Sequence, residues 1–287
     1  MNKYAIIINF CAIHLPGFNA LINGLDIYEN NIDVFAIYES EGQSAIPEDY
    51  LEKLKKHHFK FKIELIKFED ILRKYDYNLD NSFANAVYAP YYIMLEIKNT
   101  YDAVSYWGGD QIILDNIDNY YQIGANTDLI LTGNNPYTLD DPGDWDGISN
   151  NHYFWDMPMI INPKIHERLI HQLLKYKEKD HSNMGAMNQA IKDLKLLKKV
   201  IRLPDIVWTV GIPYLYKLEK YYDLKGRLRL FAARERVVSF HKKWWLSTIC
   251  NQYLYDKKHL QYCSDNINLM RDIYKELNVK GKIKYEY

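Results

Sequence analysis

The sequence predicts an α/β fold, with a mainly parallel sheet flanked by helices and a mostly helical extension after it. Two observations predict this class. Hydrophobic residues make up 48% of the 287 residues and charged residues 25%, ordinary globular values that exclude a disordered chain, a collagen-like chain and a disulfide-dense scaffold. In the first half of the chain, apolar runs of strand length alternate with stretches of helical periodicity, which is the pattern of strands joined by crossover helices.

The first part of the chain contains four predicted strands and three predicted helices in alternation. Each strand is a short run rich in apolar residues, and the strands occupy 3–10, 33–38, 61–68 and 102–106. The helices repeat apolar residues at helical spacing and occupy 16–28, 47–57 and 83–98. Pro16 opens the first helix, where a missing N–H is tolerated, and Pro90 lies near the first turns of the third.

The second part of the chain is less regular. It contains predicted strands at 128–132, 154–162 and 234–240, and predicted helices at 166–177, 184–199 and 264–277. Residues 134–151 form a predicted loop that is dense in Asn, Asp, Gly and Pro. Loops of this length usually carry function.

The formal net charge of −1 conceals a strong asymmetry. Residues 1–160 hold 10 Lys and Arg against 24 Asp and Glu, a net charge of −14, which leaves +13 for the remainder. Such a basic half is typical of a surface that faces the phosphates of a small ligand, a nucleic acid or another anionic partner. It is equally typical of solvated lysines on helix faces. The charges alone leave these alternatives open.

Cysteine usage and the apolar start of the chain bear on the compartment. The three cysteines form no CxxC pair, which favours a reducing compartment. We interpret the apolar residues 4–13 as a buried strand and not as a signal peptide, because only Lys3 precedes them and no small-residue cleavage site follows. No apolar run reaches the roughly 20 residues that span a bilayer. We therefore expect a cytoplasmic protein with no membrane span.

The most informative segment runs from Tyr101 to Asp118 and contains Trp107-Gly108-Gly109-Asp110 directly after a predicted strand. A carboxylate at the carboxyl end of a strand, beside glycines that let a ligand approach the backbone, is how open α/β sheets build ligand sites. Asp110 therefore suits a hard divalent cation that bridges phosphates. The alternative is a turn in which Asp110 caps the next segment.

This segment resembles the YDxxLYLDADxxVLxDID stretch of retaining GT-A glycosyltransferases, the group of glycogenin and the bacterial lipopolysaccharide galactosyltransferases. Three further matches occur in the correct order. Residues 3–38 resemble the family's opening βαβ nucleotide-binding unit, 184–191 its DQDALNxAI helix start, and 237–245 its closing IIHFxGxxKPW. The resemblance extends from residue 3 to residue 245.

The resemblance implies a GT-A-like Rossmann-type mixed sheet flanked by helices over residues 1–245, with a nucleotide-binding half at 1–130 and an acceptor half at 131–245. Residues 246–287 then form the C-terminal, mostly helical extension. It also implies a hexosyltransferase-like activity that moves a sugar from a nucleotide diphosphate sugar, expected to be a uridine one, to an acceptor that the sequence does not identify. The resemblance favours retention of configuration over inversion.

The resemblance further implies a donor site, a metal site and catalytic groups. The donor-binding residues would be Asn9, Cys11, Gly108, Gly109, Asp110, Lys242 and Lys243. Asp110 and His241 would bind a divalent cation, Mn or Mg, at the diphosphate. Asn183 stands where the family's DQ pair contributes to catalysis, and Asn188 lies in the same helix start. A histidine beside aromatic residues can also be a packed core residue.

The sequence departs from the family pattern at several positions. Gly108 occupies the place of the first DxD aspartate, so a cation would meet one motif carboxylate in place of two. Asn183 and Met184 replace the DQ pair, and Ala89 or Pro90 stands where the family often has a donor-binding arginine. These departures permit a non-catalytic relative.

Aromatic and polar residues in and after the long loop predict an acceptor site. Aromatic faces flanked by hydrogen-bonding side chains suit a sugar, and the expected acceptor-binding residues of this segment are Trp145, Asp146, His152 and Trp155. The resemblance adds Trp208, which stands where the family has an aromatic residue after a leucine-proline run. Asp156 is a candidate catalytic carboxylate that would act on the acceptor or on the developing oxocarbenium ion. The alternatives are an aromatic satellite core beneath the loop and, for Asp144-Trp145-Asp146, a second formal DxD motif.

Other functions stay open at this point. A nucleotidyltransferase on a similar sheet requires a basic glycine-rich loop after the first strand, but residues 9–18 contain no Lys or Arg. A non-catalytic protein would bind nucleic acid or another anionic partner through the basic C-terminal half. The same half would also suit DNA as the acceptor of a DNA-modifying glycosyltransferase.

Overall fold

The computed structural model describes residues 2–76, 82–109, 111–113, 116–134, 154–177, 183–203, 210–211, 239–241 and 275–284. The strands are β1 Tyr4–Phe10, β2 Asp33–Tyr38, β3 Ile63–Lys67, β4 Ala103–Gly108, β5 Gln111–Ile113, β6 Ile130–Asn134, β7 Phe154–Ile161, β8 Val200–Leu203, β9 Val210–Gly211 and β10 Ser239–His241. The helices are α1 Leu15–Ile27, α2 Glu48–Lys56, α3 Phe68–Tyr75, α4 Ser82–Ile97, α5 Asp118–Asn126, α6 Glu167–Leu174 and α7 Asn183–Asp193. Short 3-10 helices cover Ala12–His14 and Leu197–Lys199.

The main sheet has seven strands in the order β3-β2-β1-β4-β7-β6-β8. Strands β1 to β4 are parallel to one another, whereas β7 runs antiparallel to both of its neighbours, β4 and β6. A second, three-stranded sheet has the order β5-β10-β9. The predicted mixed sheet of an α/β fold is therefore confirmed, with β7 as its antiparallel member.

Each face of the main sheet carries a hydrophobic core. Helices α3, α4, α6 and α7 cover one face, and α1, α2 and α5 cover the other. The central strand β1 supplies both cores, with Ala5 and Ile7 in the first and Ile6 and Ile8 in the second. A strand buried on both faces needs apolar residues at every position. This explains why its sequence is a continuous apolar run and not an alternating one.

Most predicted elements are confirmed to within a few residues, but some predictions need correction. Helices α3 and α5 and the short strands β5 and β9 were not predicted, and α5 contains the weak helix formers Gly124 and Asn126. The predicted helix over 184–199 is wrong at its end, because α7 stops at Asp193 and Lys195 adopts a left-handed φ of 56°. Residues 197–203 instead form a 3-10 turn and β8.

Several predicted features lie outside the described residues. These are the loop over 134–151 apart from Asn134, the strand over 234–240 apart from its last two residues, and the helix over 264–277 apart from its last three. Residues 275–280 are helical. The proposed boundary of the extension at residue 246 stays a prediction. Within the part of the chain that the structure describes, the helices include no segment long and apolar enough to cross a bilayer.

Residues 275–284, here called the 275–284 segment, pack against α1 of the first half. Leu277 and Ile283 are buried. The side chains of Asn19 and Asn23, both on α1, are buried and hydrogen-bond to this segment. The late part of the chain therefore returns to the nucleotide-binding half proposed from the sequence.

Candidate active site

The carboxyl ends of β1 and β4 form the centre of the candidate site. The chain moves outward from β1 to β2 and β3 on one side of the sheet, and β4 lies on the other side of β1. In open α/β sheets, such a reversal of strand order leaves a crevice at the carboxyl ends of the strands, where ligands bind. The register pairs Asn9 with Gly108 at this edge. Four of the predicted donor-binding residues, Asn9, Cys11, Gly108 and Gly109, are thereby brought together.

Gly109 packs so tightly at this edge that no side chain fits. A Cβ atom on it would lie 2.8 Å from the Cβ of Phe10 and 2.9 Å from the carbonyl oxygen of Asn9. The Cβ of His14 lies 3.4 Å from the same point. The turn after β4 therefore lies directly on the segment after β1, and any ligand at this edge meets backbone.

Cys11 and His14 form a thiol–imidazole pair beside this turn. The Sγ of Cys11 lies 3.1 Å from the Nδ1 of His14, and Cys11 is a buried, reduced cysteine. The 3-10 turn over Ala12–His14 brings the two side chains to the same side. Sequence reasoning selected Cys11 but missed His14. The i, i+3 spacing directly after a strand would have been the signal.

Asn9 is fixed in place by helix α4. Its Nδ2 donates a 2.6 Å hydrogen bond to the carbonyl oxygen of Ala86. In a regular helix that carbonyl would accept from the backbone N–H of residue 90, but residue 90 is Pro90, which has none. The proline therefore leaves a carbonyl that Asn9 satisfies. The sequence analysis found Asn9 and Pro90 separately and did not connect them.

A buried glutamine closes the turn between β4 and β5. The backbone N–H of Gly108 donates to the Oε1 of Gln111 at 2.8 Å, and Gln111 is fully buried. Strand β5 then pairs antiparallel with β10, and His241 is the partner of Gln111. Residue 241 is thus placed next to the residue that follows Asp110 in the chain. The predicted metal ligands come from these two strand ends.

Below the edge, a buried polar network supports the end of β4. The Nε1 of Trp107 donates to the Oγ of Ser105 at 2.8 Å and to the hydroxyl of Tyr121 at 3.1 Å. Ser105 and Tyr121 also hydrogen-bond to each other. Burial raises the pKa of Tyr121 far above its ordinary value, so this hydroxyl stays protonated. The network holds the residue before Gly108.

Strand β7 bulges where it passes the end of β4. Its register with β6 moves from Met159 opposite Thr132 to Trp155 opposite Gly133, so residues 156–158 are accommodated between two neighbouring residues of β6. Beside them, β4 ends at Gly108, two residues past the pair of Tyr106 with Met159. Bulges often redirect side chains next to active sites. The backbone of Asp156 is therefore located at the same edge as Gly108.

Helix α7 holds this bulged strand through Asn188. The backbone N–H of Phe154 donates to the Oδ1 of Asn188 at 2.7 Å, and the Nδ2 of Asn188 donates to the carbonyl oxygens of Phe154 and Met184 at 2.9 and 2.8 Å. Both N–H donors of this amide are used on backbone. The Nδ2 of Asn183, at the start of α7, lies 3.5 Å from the hydroxyl of Tyr91. The catalytic roles of both asparagines stay predictions.

The carboxyl end of β2 adds acidic groups to the edge. Burial raises the pKa of Glu39 above its ordinary value, and the nearby Glu69 raises it further. Glu69 accepts hydrogen bonds from the backbone N–H of Ser40 at 3.0 Å and from its hydroxyl at 2.8 Å. These contacts order the segment after β2.

The remaining predicted site residues lie beyond what the structure describes. Asp110, Trp145, Asp146, His152, Trp208, Lys242 and Lys243 are outside the described residues, and of Trp155, Asp156 and His241 only the backbone is described. Among the described residues, no group of three or more His, Cys, Asp and Glu side chains is arranged to bind a metal. The donor, acceptor and metal assignments therefore stay predictions.

The sheet order, the antiparallel β7 and the helices on both faces are those of the GT-A fold of glycosyltransferases. Over 98% of both chains, the structure is similar to the galactosyltransferase LgtC, solved with donor and acceptor sugar analogues, with a TM-score of 0.59 at 13% sequence identity. It is also similar to the bifunctional glycosyltransferase WbbM, with a TM-score of 0.60 at 14% identity. That match covers 96% of this chain and 51% of WbbM, so the chain spans about half of that protein.

A third similar structure is the glycosyltransferase GlyE of Streptococcus pneumoniae, with a TM-score of 0.55 at 15% identity over the whole of this chain and 66% of GlyE. No protein-family model matches the sequence, and the search of curated proteins finds no match. The GT-A fold that the sequence motifs predicted is therefore confirmed by the structural similarity.

Proposed function

We propose that this protein transfers a sugar from a nucleotide diphosphate sugar to an acceptor. The observation that carries the proposal is the meeting of Asn9, Cys11, Gly108 and Gly109 at the point where the strand order reverses. A crevice at such a point, lined by backbone and a fixed amide, suits a nucleotide. The GT-A fold supports sugar transfer as the reaction. Uridine as the nucleotide, a hexose as the sugar and retention of configuration complete the proposal.

The described part of the proposed donor site is preformed. Asn9 is fixed by Ala86, and Gly108 is fixed by Gln111. Groups held in one geometry before the ligand arrives bind it at a lower entropic cost. The diphosphate would lie near Gly109, where the turn packs directly on the backbone of Asn9, and Lys242 and Lys243 would neutralise its charge.

A divalent cation is part of the proposal, with Asp110 and His241 as its ligands from the protein. The residues fit such an ion, because a carboxylate and an imidazole suit Mn²⁺ and because the pairing of β5 with β10 brings the two chain positions close. When bound, the cation would neutralise charge on the leaving diphosphate. Gly108 removes one carboxylate from the expected motif, so we expect weaker cation binding than a two-aspartate site gives.

Asp156 is our candidate for the carboxylate at the reacting sugar. The bulge in β7 aims residues 156–158 away from regular pairing, and Asn188 anchors the strand just before it. Asn183 and Asn188 remain our candidate catalytic residues beside Asp156; Asn183 would contact the donor sugar, and Asn188 also positions this strand. Trp145, Asp146, His152, Trp155 and Trp208 are the proposed acceptor-binding residues.

The proposal is tested first by ligand-induced stabilisation. Saturating UDP or a UDP-sugar with Mn²⁺ should raise the melting temperature. The proposed donor site exists only in the folded protein, so ligand binding stabilises the folded state. A panel of nucleotide sugars in this assay, followed by transfer assays with oligosaccharide, protein and DNA acceptors, would identify donor and acceptor. No shift with any nucleotide under any divalent metal would refute the donor site. Stabilisation without transfer or hydrolysis would instead identify a non-catalytic relative.

The cation ligands are tested by substitution. Asp110→Ala and His241→Ala should each weaken Mn²⁺-dependent donor binding while the protein stays folded. Asp102→Ala and His171→Ala are matched controls, since Asp102 is at the opposite edge of the sheet, where it accepts from the N–H of Lys3, and His171 is exposed on α6. Unchanged binding in both site variants would assign Asp110 to capping and His241 to packing.

A further inference from the structure

The 275–284 segment contacts α1 through buried polar groups. Asn19 and Asn23 are fully buried and lie one turn apart. The Nδ2 of Asn23 donates to the carbonyl oxygen of Ile283 at 2.9 Å, and the N–H of Ile283 donates to the Oδ1 of Asn23 at 3.0 Å. One amide thus binds both backbone groups of one residue. A buried amide without partners is costly, so α1 depends on this segment.

The fit between the two elements is close. A Cβ atom on Gly281 would lie 2.0 Å from the Cγ of Asn23, so only glycine allows this approach. Lys282 adds two hydrogen bonds, from its Nζ to the Oδ1 of Asp26 at 2.7 Å and to the carbonyl oxygen of His58 at 3.0 Å. Backbone, apolar and charged contacts together fix the segment at one position on the helix.

The neighbouring residue of α1 contacts the candidate site. A Cβ atom on Gly24 would lie 2.3 Å from the carbonyl oxygen of Ile113, the last residue of β5. Helix α1 therefore touches the backbone of β5 directly. Strand β5 begins one residue after Asp110, and its partner β10 ends at His241. One turn of α1 thus contacts both the 275–284 segment and β5, the strand that pairs with β10.

We propose that the 275–284 segment positions the strand pair β5–β10, and with it the cation ligands of the proposed function, by holding α1 through Asn23. The ladder between β5 and β10 has three residue pairs, and a ladder this short needs support from packing. The contact between Gly24 and Ile113 supplies it. If the segment leaves, the amide of Asn23 loses both of its hydrogen bonds to Ile283 and the Nδ2 of Asn19 loses its acceptors in the segment, and the contact of α1 with β5 loosens. Asn23 and Gly281 are positioning residues in this scheme.

The test is hydrogen exchange on the full-length Gly281→Ala variant. The added methyl displaces the segment from Asn23, and Gly281 has no left-handed φ that alanine would strain. We expect amide exchange about tenfold faster in α1, and also in β5 and β10, compared with wild type. The control is Val279→Ala in the same segment, because Val279 is 74% exposed. It should leave exchange unchanged at all three elements.

A second readout links the change to the site. In Gly281→Ala, the dissociation constant for UDP in the presence of Mn²⁺ should rise about tenfold, whereas UDP without metal should bind with a smaller change. A segment that only stabilises the fold would not alter the metal dependence of binding. If wild-type protein binds no nucleotide, the proposed function fails, and the exchange experiment still decides whether the segment positions β5 and β10.

Two results would overturn the inference. One is faster exchange confined to α1 and the 275–284 segment, with β5 and β10 as protected as in wild type. The other is altered exchange at β5 with unchanged metal-dependent binding. If Gly281→Ala does not fold, Asn23→Ala with Gly281→Ala removes the clash and the paired hydrogen bonds together, and the same exchange pattern is expected of that double variant.

Discussion

Gly109 packs against the backbone of Asn9 and the side chain of Phe10 with no room for a Cβ atom. Its neighbour Gly108 holds the place of a carboxylate in the resembling family, yet its backbone N–H is used by Gln111. At the scale of residues, the described centre of the candidate site therefore consists of glycines without side chains and of backbone held in a fixed position. Without side chains on Gly108 and Gly109, a ligand such as a diphosphate could approach the backbone at this edge closely.

Gly109→Ala is expected to weaken UDP binding by about tenfold and to cost about 1–3 kcal/mol of stability, because the methyl forces the turn away from Asn9. Isothermal titration with UDP and urea denaturation measure the two effects. The matched control is Gly124→Ala, since a Cβ atom there would lie 2.8 Å from the Cγ2 of Ile160 in the core. It should lose stability in the same range and keep wild-type affinity. Equal affinity losses in both variants would contradict a local role for Gly109.

His166 carries a pH dependence that belongs to the fold. Burial lowers its pKa below the ordinary value of 6.5, although its ring lies 3.1 Å from the carbonyl oxygen of Asp128. At a pH between the lowered folded-state pKa and the ordinary value, the histidine is therefore mostly neutral in the folded state and mostly protonated in the unfolded chain. The resulting stability is fully present above about pH 6.5 and is lost as the pH falls through the lowered folded-state pKa.

We expect urea midpoints to fall between about pH 7.5 and pH 5.5 in wild type and to fall less in His166→Gln. Glutamine keeps a donor for the carbonyl of Asp128 without a titrating ring. His171→Gln, an exposed position on α6, should retain the wild-type slope. An identical pH slope in wild type and His166→Gln would show that other groups cause the acid lability.

At the scale of elements, strand β1 and helix α4 depend on each other through a missing hydrogen bond. Pro90 interrupts the helix ladder, and Asn9 occupies the carbonyl that is left at Ala86. The same bond fixes the amide of Asn9 at the donor edge. The break in the hydrogen-bond ladder of α4 at Pro90 thus fixes the side chain of Asn9 at the candidate site.

A double-mutant cycle tests this dependence. Asn9→Ala should cost about 1 kcal/mol, because it leaves the Ala86 carbonyl without that partner. In the Pro90→Ala background, the new backbone N–H bonds to Ala86, so the same substitution should cost measurably less. Denaturant unfolding of the four proteins gives the coupling energy. Additive effects would mean that the carbonyl of Ala86 is not what links the two positions.

At the scale of the whole molecule, charge separates along the chain, with −14 in residues 1–160 and +13 in the remainder. Most of the described ion pairs, such as Lys55 with Glu52 and Lys60 with Glu29, are exposed. Exposed pairs contribute little to stability. The asymmetry is therefore better understood as a property of the surface that ligands and partners meet than as a source of fold stability.

If the basic half serves donor phosphates and solvation, DNA binding should be weak and should vanish by about 0.15 M salt. A titration with duplex and single-stranded DNA at several salt concentrations measures this, beside the transfer assay with oligosaccharide acceptors. Binding of UDP, measured in the same way, should persist at this salt concentration. DNA binding that survives there, with transfer to DNA alone, would replace the small-molecule proposal with a DNA-modifying one.

The sequence alone determined the elements whose burial pattern is local. The apolar run of β1, the periodic helices α1, α2 and α4, and the glycines after β4 were all readable, because side-chain spacing reports which faces of an element are buried. The motif order across the chain also predicted the GT-A fold. Asn9 and Gly108 could be expected at one edge, since parallel strands end on the same side of a sheet.

Tertiary structure decided which distant residues meet. The insertion of antiparallel β7 beside β4, the pairing of His241 with Gln111, and the seat of Ile283 on Asn23 join positions that are far apart in the chain. Periodicity states that a surface is buried but not which partner buries it. Partner choice depends on the summed packing and hydrogen bonding of the complete fold. The sequence gives no reason for a polar residue such as Asn23 among the apolar residues of α1. The reason is its pair of hydrogen bonds with the backbone of Ile283, which only the folded structure shows.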